Sequence, residues 1–388
     1  MKLRTLSETG DITGKHVLLR VDFNVPLKGK KVIDDFKLRQ TLPTIEYLLK
    51  KKAHIIMVSH LGRPKQREAQ LSLRPVANHF AKLLQQNIFF TTLDLVMATR
   101  ARSAKIVFLE NIRFYKEEEK NTPAFAQRLA KVADIFVLDG FGASHRAGAS
   151  IVGVSKLLPS YAGLLFETEI GGLARVMQKP KKPLVVVLGG AKMETKIPVL
   201  KKLLSIADHI LIGGGMANTY YASKGYRVGK SLVDKKYIAE MATLSKNKKI
   251  IFPIDAVYGT AEGKHVGVTP VGPQFKLPKA GLGIYDVGPA TIQLFTKYLK
   301  KAETIVWNGA LGYFEQKPYQ YGTYMIAEVL AQRAKGKAFG VAGGGETVEV
   351  IKKLGLLDSI DLVSTGGGAM LEYLSGAQLP GVVAVSKK

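Results

Sequence analysis

Short apolar runs that end in polar residues or glycine, each followed by an amphipathic stretch of about 12 to 16 residues, recur along the whole chain. A run too short for a helix and flanked by helical periodicity reads as a strand buried on both faces, and its repetition builds parallel sheets. In the first half the candidate strands are HVLLRVDF (16–23), HIIMVSH (54–60), IVFLEN (106–111) and IFVLD (135–139). In the second half they are PLVVVLGG (183–190), HILIGGG (209–215), IIFPID (250–255), TIVWNG (304–309), AFGVAGGG (338–345) and LVSTGGG (362–368). The expected fold class is therefore α/β, with parallel sheets flanked by helices. At 388 residues two cores are expected, because single cores stop growing near roughly 250 to 300 residues.

The stretch LLFETEIGGLARVMQ (164–178) predicts a helix with Gly171 and Gly172 inside it, followed by KPKKP. It reads as the domain junction, the glycine pair marking either a bend or a close helix crossing. The expected organisation is an N-terminal domain over 1–165, a connecting helix and linker over 166–179, and a C-terminal domain over 180–372.

Composition excludes several classes. With 46% hydrophobic and 23% charged residues the chain reads as globular throughout, and the absence of cysteine removes disulfides and thiolate metal sites. No run of 18 apolar residues occurs, and the start MKLRTLSETGD lacks the apolar core of a leader, so no membrane span is expected and a cytoplasmic location is. The net charge of +26 invites a nucleic-acid reading, but residues 1–166 and 167–388 each carry +13, so neither half is a basic arm. Nucleic acid is not required by the pattern; a basic surface that attracts anionic metabolites accounts for it.

The strand ends carry the chemistry. In open parallel sheets ligands sit beyond the carboxyl ends of the strands, where backbone N–H groups and helix starts bind phosphate. Four strands of the second half end there in glycine, at Gly189-Gly190, Gly213 to Gly215, Gly343 to Gly345 and Gly366 to Gly368. No G-x-x-x-x-G-K-[ST] loop is present, which argues against a Walker ATPase, and no dinucleotide fingerprint supports a dehydrogenase. Lys192 and Lys196 are spaced to share a helix face, either reaching one polyphosphate or simply solvated. Glu315 is placed to accept from ribose hydroxyls or to face water, and Trp307 is expected in the core. In the first half the strand ends supply Arg20, Asp22, Asn24, His60, Arg63, Arg113, His145 and Arg146, a set suited to a small acid bearing phosphate and carboxylate. A nucleotide on one domain and an anionic acid on the other imply phosphoryl transfer.

The motifs RVDFNVP, LPTIEYLL, SHLGRP, LENIRF, FGASHR, GGAK, GGGMA, DVGPAT, WNGALGYFE, GGGET and STGGGAMLE resemble those of the phosphoglycerate kinase family, in its order across nearly the whole chain. The resemblance implies two Rossmann-like domains, each a parallel sheet flanked by helices, joined by a hinge helix. It implies a monomer whose tail, 373–388, returns to the N-terminal domain. It implies reversible transfer between 1,3-bisphosphoglycerate with ADP and 3-phosphoglycerate with ATP, in line after domain closure, with Mg²⁺ as the metal. On this resemblance Asp22, Phe23, Asn24, Lys37, His60, Leu61, Gly62, Arg63, Arg113 and Arg146 contact the acid. Gly189, Gly190, Lys192, Lys196, Gly213, Gly214, Asn308, Glu315, Gly343, Gly344, Gly345, Glu346 and Thr347 contact the nucleotide. Lys37, Lys192, Gly344 and Gly367 are the catalytic set, and Glu346 stands nearest the metal.

The sequence departs from the family pattern at named positions. Lys37 replaces an arginine and keeps the charge without the planar fork, with Arg39 a possible substitute if the segment were extended rather than helical. Glu346 replaces an aspartate, Gly148 a histidine and Ala310 a proline, and Glu194-Thr195 differ from the usual GGAKVSDK. The alternative reading is a weakly active or catalytically silent descendant that binds nucleic acid or a surface.

Overall fold

In a computed structural model, which describes residues 2–98 and 104–387, the chain divides into two compact units. One holds the chain up to Gly171 together with the segment from Gln378 onward; the other runs from Gly172 to Ala377. The first unit has a six-stranded parallel sheet in the order Phe89–Thr91, Ile106–Leu109, His54–Val58, His16–Arg20, Ile135–Leu138, Ser160–Ala162. The second has a six-stranded parallel sheet in the order Ile250–Ile251, His209–Ile212, Leu184–Leu188, Thr304–Asn308, Phe339–Gly343, Leu362–Ser364. The α/β class with two parallel sheets is thus the observed one.

Burial on both faces explains the apolar runs. Val17, Leu18 and Leu19 are fully buried, as is every residue of Leu184–Leu188. Helix Phe36–Lys50 lays Leu38, Ile45 and Leu48 on the first sheet, and Tyr321–Ala334 lays Ile326, Ala327 and Leu330 on the second. Trp307 is fully buried, and its indole N–H donates to the Gly309 carbonyl at 2.9 Å. A parallel strand forms within each of the ten expected runs, though within IIFPID it covers only Ile250–Ile251.

Some boundaries differ from expectation. The strand expected over 16–23 stops at Arg20, because the next strand's continuation, Asp139 and Gly140, turns both N–H groups onto the Arg20 carbonyl. The chain then peels away and presents residues 21–24 at the edge. IIFPID is not one strand: it breaks around Pro253, which has no N–H to donate. Ile250–Ile251 ends the parallel sheet, and Asp255–Gly259 starts a separate antiparallel sheet with Gly267–Pro270 and Gly283–Val287. The edge strands Phe89–Thr91 and Ser160–Ala162 were not expected; three residues give no periodicity to read.

The helix Leu164–Gln178 forms as expected, and the chain passes from one unit to the other between Gly171 and Gly172. A Cβ on Gly172 would lie 2.6 Å from Leu362 Cδ2, so this glycine allows a close approach, while Gly171 faces no atom within 4 Å. The tail pairs with the N-terminus: Arg4 N–H donates to the Val385 carbonyl at 2.8 Å, and Lys387 N–H to that of Lys2 at 2.8 Å. Among the described residues no helix is long and apolar enough to cross a membrane.

Candidate functional site

At the carboxyl edge of the first sheet, Arg20 is 3% exposed and holds three neighbours in place. Its Nε donates to Ser150 Oγ at 2.9 Å, its Nη1 to the Val21 carbonyl, and its Nη2 approaches His60 Nδ1 at 3.2 Å. Because a guanidinium only donates, His60 Nδ1 accepts and the imidazole carries its proton on Nε2. Burial, reinforced by Arg20, Arg113 and Lys37 and opposed by Asp22, drives the His60 pKa well below its usual value and keeps the ring neutral.

Asp22 is equally buried, and burial alone would raise its carboxyl. The charge of Lys37, the hydrogen bond its ammonium donates and the charge of Arg20 override this and hold it well below the usual carboxylate range. Lys37 lies in the first turn of Phe36–Lys50, with its ammonium 2.7 Å from Asp22 Oδ2. Arg39 points elsewhere, donating through Nε and Nη2 to the two oxygens of Asp35 at 2.9 and 3.0 Å. The helical setting therefore leaves Lys37, and not Arg39, beside the acid edge.

Arg113 donates to the Gly62 carbonyl at 2.6 Å, and Asn24 accepts from the Gly62 N–H at 3.0 Å, so the loop after His54–Val58 is held from both sides. Burial and the nearby Arg146 charge lower the Arg113 pKa to about 10. Arg20, Arg113 and Arg146 line one cavity of about 340 Å³ with Glu118, Glu119 and Gly148. Arg63 is exposed beside it in sequence. Two expected residues do not offer side chains: Phe23 packs on Phe80 and Phe108, and Leu61 lies in the core. Their backbone alone reaches the edge, and the Phe23 N–H is taken by Ser59 Oγ at 2.8 Å. At Gly148 a Cβ would meet Glu118 Oε1 at 2.6 Å, so the carboxylate occupies the space a histidine there would need.

The second edge is built from helix starts. Helices Met193–Leu204, Gly214–Ser223, Gly345–Lys353 and Gly367–Leu374 follow the strands Leu184–Leu188, His209–Ile212, Phe339–Gly343 and Leu362–Ser364. Gly214 has φ +60 and abuts Gly190: its ideal Cβ would be 2.8 Å from the Gly190 nitrogen. Gly189 is packed as closely on the Ala310 carbonyl. Gly344 has φ +99, a region side chains rarely adopt, and Gly367 faces its Cα. The first-turn Thr347 accepts from the Gly309 N–H at 2.7 Å.

Lys192 and Lys196 do not present together as their spacing suggested. Lys192 is the N-cap, with extended backbone and an exposed side chain. Lys196 turns inward to the main-chain and side-chain oxygens of Asn308. Burial lowers its pKa to about 8, against the opposing pull of Glu346. Glu346 Oε2 lies 3.5 Å from the Ala310 N–H, a donor that proline would lack.

A cavity of about 210 Å³ opens next to these starts, lined by Gly190, Gly214, Gly215, Tyr221, Leu232, Tyr285, Asp286, Leu311, Tyr313, Glu315 and Glu346 among others. Glu315 is on its rim; burial, then Glu346 and Glu349, raise its pKa. Asp286 lies inside, its pKa raised by burial to about 8 although the Gly322 and Val287 N–H groups donate to it. Asp286, Tyr285, Tyr313 and Leu232 were not singled out from sequence, since they sit on the antiparallel sheet and in loops.

The family model for phosphoglycerate kinase matches residues 7–377. The chain belongs to the phosphoglycerate kinase family. It is 44% identical to the phosphoglycerate kinase of Pelotomaculum thermopropionicum over 97% of this chain and 98% of that protein. With that of Borrelia garinii it shares 43% over the full length of both. The solved phosphoglycerate kinase of Coxiella burnetii superposes with a TM-score of 0.87 at 34% identity, covering 99% of this chain and all of that one. That of Pyrococcus horikoshii gives 0.86 at 30%, covering 99% and 98%. As a family member the chain is a glycolytic kinase, a phosphotransferase acting on a carboxyl group. The full-length match does not favour a silent descendant.

Proposed function

We propose that the arginine-lined cavity of the first unit binds 3-phosphoglycerate or 1,3-bisphosphoglycerate, that the glycine-started helices of the second bind ATP or ADP, and that the phosphoryl group passes directly between them. The observation that carries this reading is the cavity itself: three guanidiniums, with the neutral His60 after a neighbouring strand and Lys37 in a helix first turn on the same Asp22. Guanidinium forks bind phosphate and carboxylate in two-point fashion, which suits an acid bearing both. A carboxylate acceptor has no proton to lose, so no general base is needed.

In this reading Lys37 neutralises charge on the group in transit, with Asp22 holding its ammonium until substrate arrives. Backbone N–H groups at Gly344 and Gly367 stabilise the transferring oxygens, and Lys192, free at its N-cap, approaches the polyphosphate. Donor and acceptor bound on separate units must approach for in-line transfer, so closure about the helix Leu164–Gln178 belongs to the reading. Glu346 is the carboxylate for Mg²⁺. Among the described residues no group of three or more acids or histidines would hold a metal alone, and Mg²⁺ bound through one carboxylate and substrate phosphates requires none. The metal, when bound, neutralises phosphate charge. A monomer in the cytoplasm completes the proposal, checked by light scattering and fractionation.

The test is a coupled assay of ATP-dependent phosphorylation of 3-phosphoglycerate, with and without magnesium. Turnover that needs both supports the reading. No turnover in saturating substrates and magnesium sinks it.

A further inference from the structure

The carboxylate of Glu119 stands where an anionic ligand of the arginine pair would stand. One oxygen, Oε1, lies 3.3 Å from Arg113 Nε and 3.4 Å from Arg146 Nη1, and all three residues line the same cavity. We infer that Glu119 is an internal, displaceable counter-ion of the acid site: it neutralises Arg113 and Arg146 in the free chain, leaves when substrate binds, and thereby sets substrate affinity. This rests on the proposed function of the cavity.

The neighbouring acid shows what a fixed carboxylate looks like here. Glu118 is 4% exposed and accepts from the Ser150 N–H at 2.9 Å and the Ser150 hydroxyl at 2.6 Å. Moving it would strand two buried donors, which is costly. The Glu119 side chain is 60% exposed, and its contacts among the described residues are the two guanidiniums. Its departure strands no donor of its own surroundings but leaves Arg113, whose side chain is 8% exposed, facing Arg146 with the Gly62 carbonyl as its remaining partner, a charge that an incoming anion neutralises.

Geometry also makes the pairing weak. A single oxygen shared by two forks at 3.3 and 3.4 Å lacks the two-point contact at about 2.7 to 2.9 Å that guanidinium makes with carboxylate or phosphate. A phosphate dianion engaging both arginines replaces a poor contact by several good ones. A small monoanion exchanges one carboxylate-like charge for another and gains little, so Glu119 sets a threshold of charge and shape. The arginines do not depend on Glu119 for position. Arg113 Nη1 is held by the Gly62 carbonyl, and Arg146 Nε donates to His145 Nε2 at 3.3 Å.

Glu119 accordingly sets affinity and specificity by competing with the substrate for Arg113 and Arg146. The test titrates 3-phosphoglycerate calorimetrically into the intact chain as wild type, Glu119→Gln and Glu117→Gln, the last removing an exposed charge from the same turn. Glu119→Gln is expected to bind about two- to fivefold tighter, the range that exposed ion pairs reach. KM for 3-phosphoglycerate should fall in parallel, with KM for ATP and the unliganded melting temperature unchanged. Glu117→Gln should leave all of these unchanged. Unchanged or weaker binding by Glu119→Gln overturns the inference, as does an equal gain in Glu117→Gln, which would reduce the effect to net charge. A wild type that binds no 3-phosphoglycerate overturns the functional reading and this inference with it; a wild type that binds while Glu119→Gln gains nothing overturns this inference alone.

Discussion

Along the edge of the first sheet, positive charge is carried by long side chains, each held by an acid or a carbonyl: Lys37 on Asp22, Arg113 on Gly62 and Glu119, Arg20 on Ser150 and Val21. Along the second, the proposed donors are backbone N–H groups at helix starts, and at Gly189 and Gly214 a Cβ would strike a neighbouring strand end. A small acid with two different oxyanions needs forks that fix its orientation, whereas a polyphosphate chain needs a row of donors that approach closely. One edge is therefore sensitive to side-chain chemistry and the other to backbone shape.

Substitutions that separate charge from shape break this comparison if it is wrong. Lys37→Ala is expected to lower kcat by about 10³-fold, at the lower end for a transition-state cation in phosphoryl transfer. Lys37→Arg should retain or raise turnover, and Arg39→Ala, whose side chain is engaged by Asp35, should stay within about twofold. Steady-state rates decide, and an unaffected Lys37→Ala removes that side chain from the transfer.

On the backbone edge, Gly344→Ala places a side chain at φ +99, a strain of about 1 to 3 kcal/mol. ATP binding should weaken by about tenfold or more while 3-phosphoglycerate binding holds, measured by titration of each ligand separately. Equal loss of both would blur the division of labour.

Lys196 is the exception on that edge, a buried ammonium among backbone donors. Its proton leaves the free chain near pH 8, so ATP affinity should fall as pH rises through about 8, by at most tenfold per unit. A flat profile between pH 7 and 9.5 would show that the ammonium does not act on the phosphates. Glu346→Gln should raise the magnesium concentration needed for half-maximal rate by a few-fold, and an unchanged titration would remove Glu346 from the metal.

The smallest effect concerns stability. Asp139 is fully buried; burial raises its pKa to about 7, although Thr44 Oγ1 and the Leu165 N–H donate to Oδ1. A carboxyl whose folded pKa lies above its unfolded one binds more protons folded than unfolded between about pH 4 and 7, so its stabilisation is lost as pH rises through that window. The melting temperature should fall from pH 5 to 8, and Asp139→Asn should flatten that slope.

Much of this was legible in the residues. Apolar runs buried on both faces give ten of the parallel strands, because a strand inside a doubly covered sheet tolerates little else at those positions. Glycine runs such as GGG at 343 to 345 mark the helix starts where the nucleotide is proposed to bind, and at Gly344 no other residue takes φ +99 cheaply. The antiparallel sheet was not legible: GVTP and GIYDV have neither alternation nor apolar length, and GIYDV pairs across a longer intervening stretch with Asp255–Gly259. Nor was the inward turn of Lys196, which depends on where Asn308 ends its strand.

The sequence by itself determined which strand ends carry charge and which carry glycine, because those follow from local residue type and chain order. Only the tertiary structure decided how each charge is used: that Phe23 and Leu61 face the core, that Lys37 and not Arg39 meets Asp22, and that of two adjacent acids Glu118 is fixed while Glu119 is exposed on the arginines. The reason is that burial and hydrogen-bond partners come from segments far apart in the chain, and those alone set whether a side chain is locked, neutralised or free to exchange its partner.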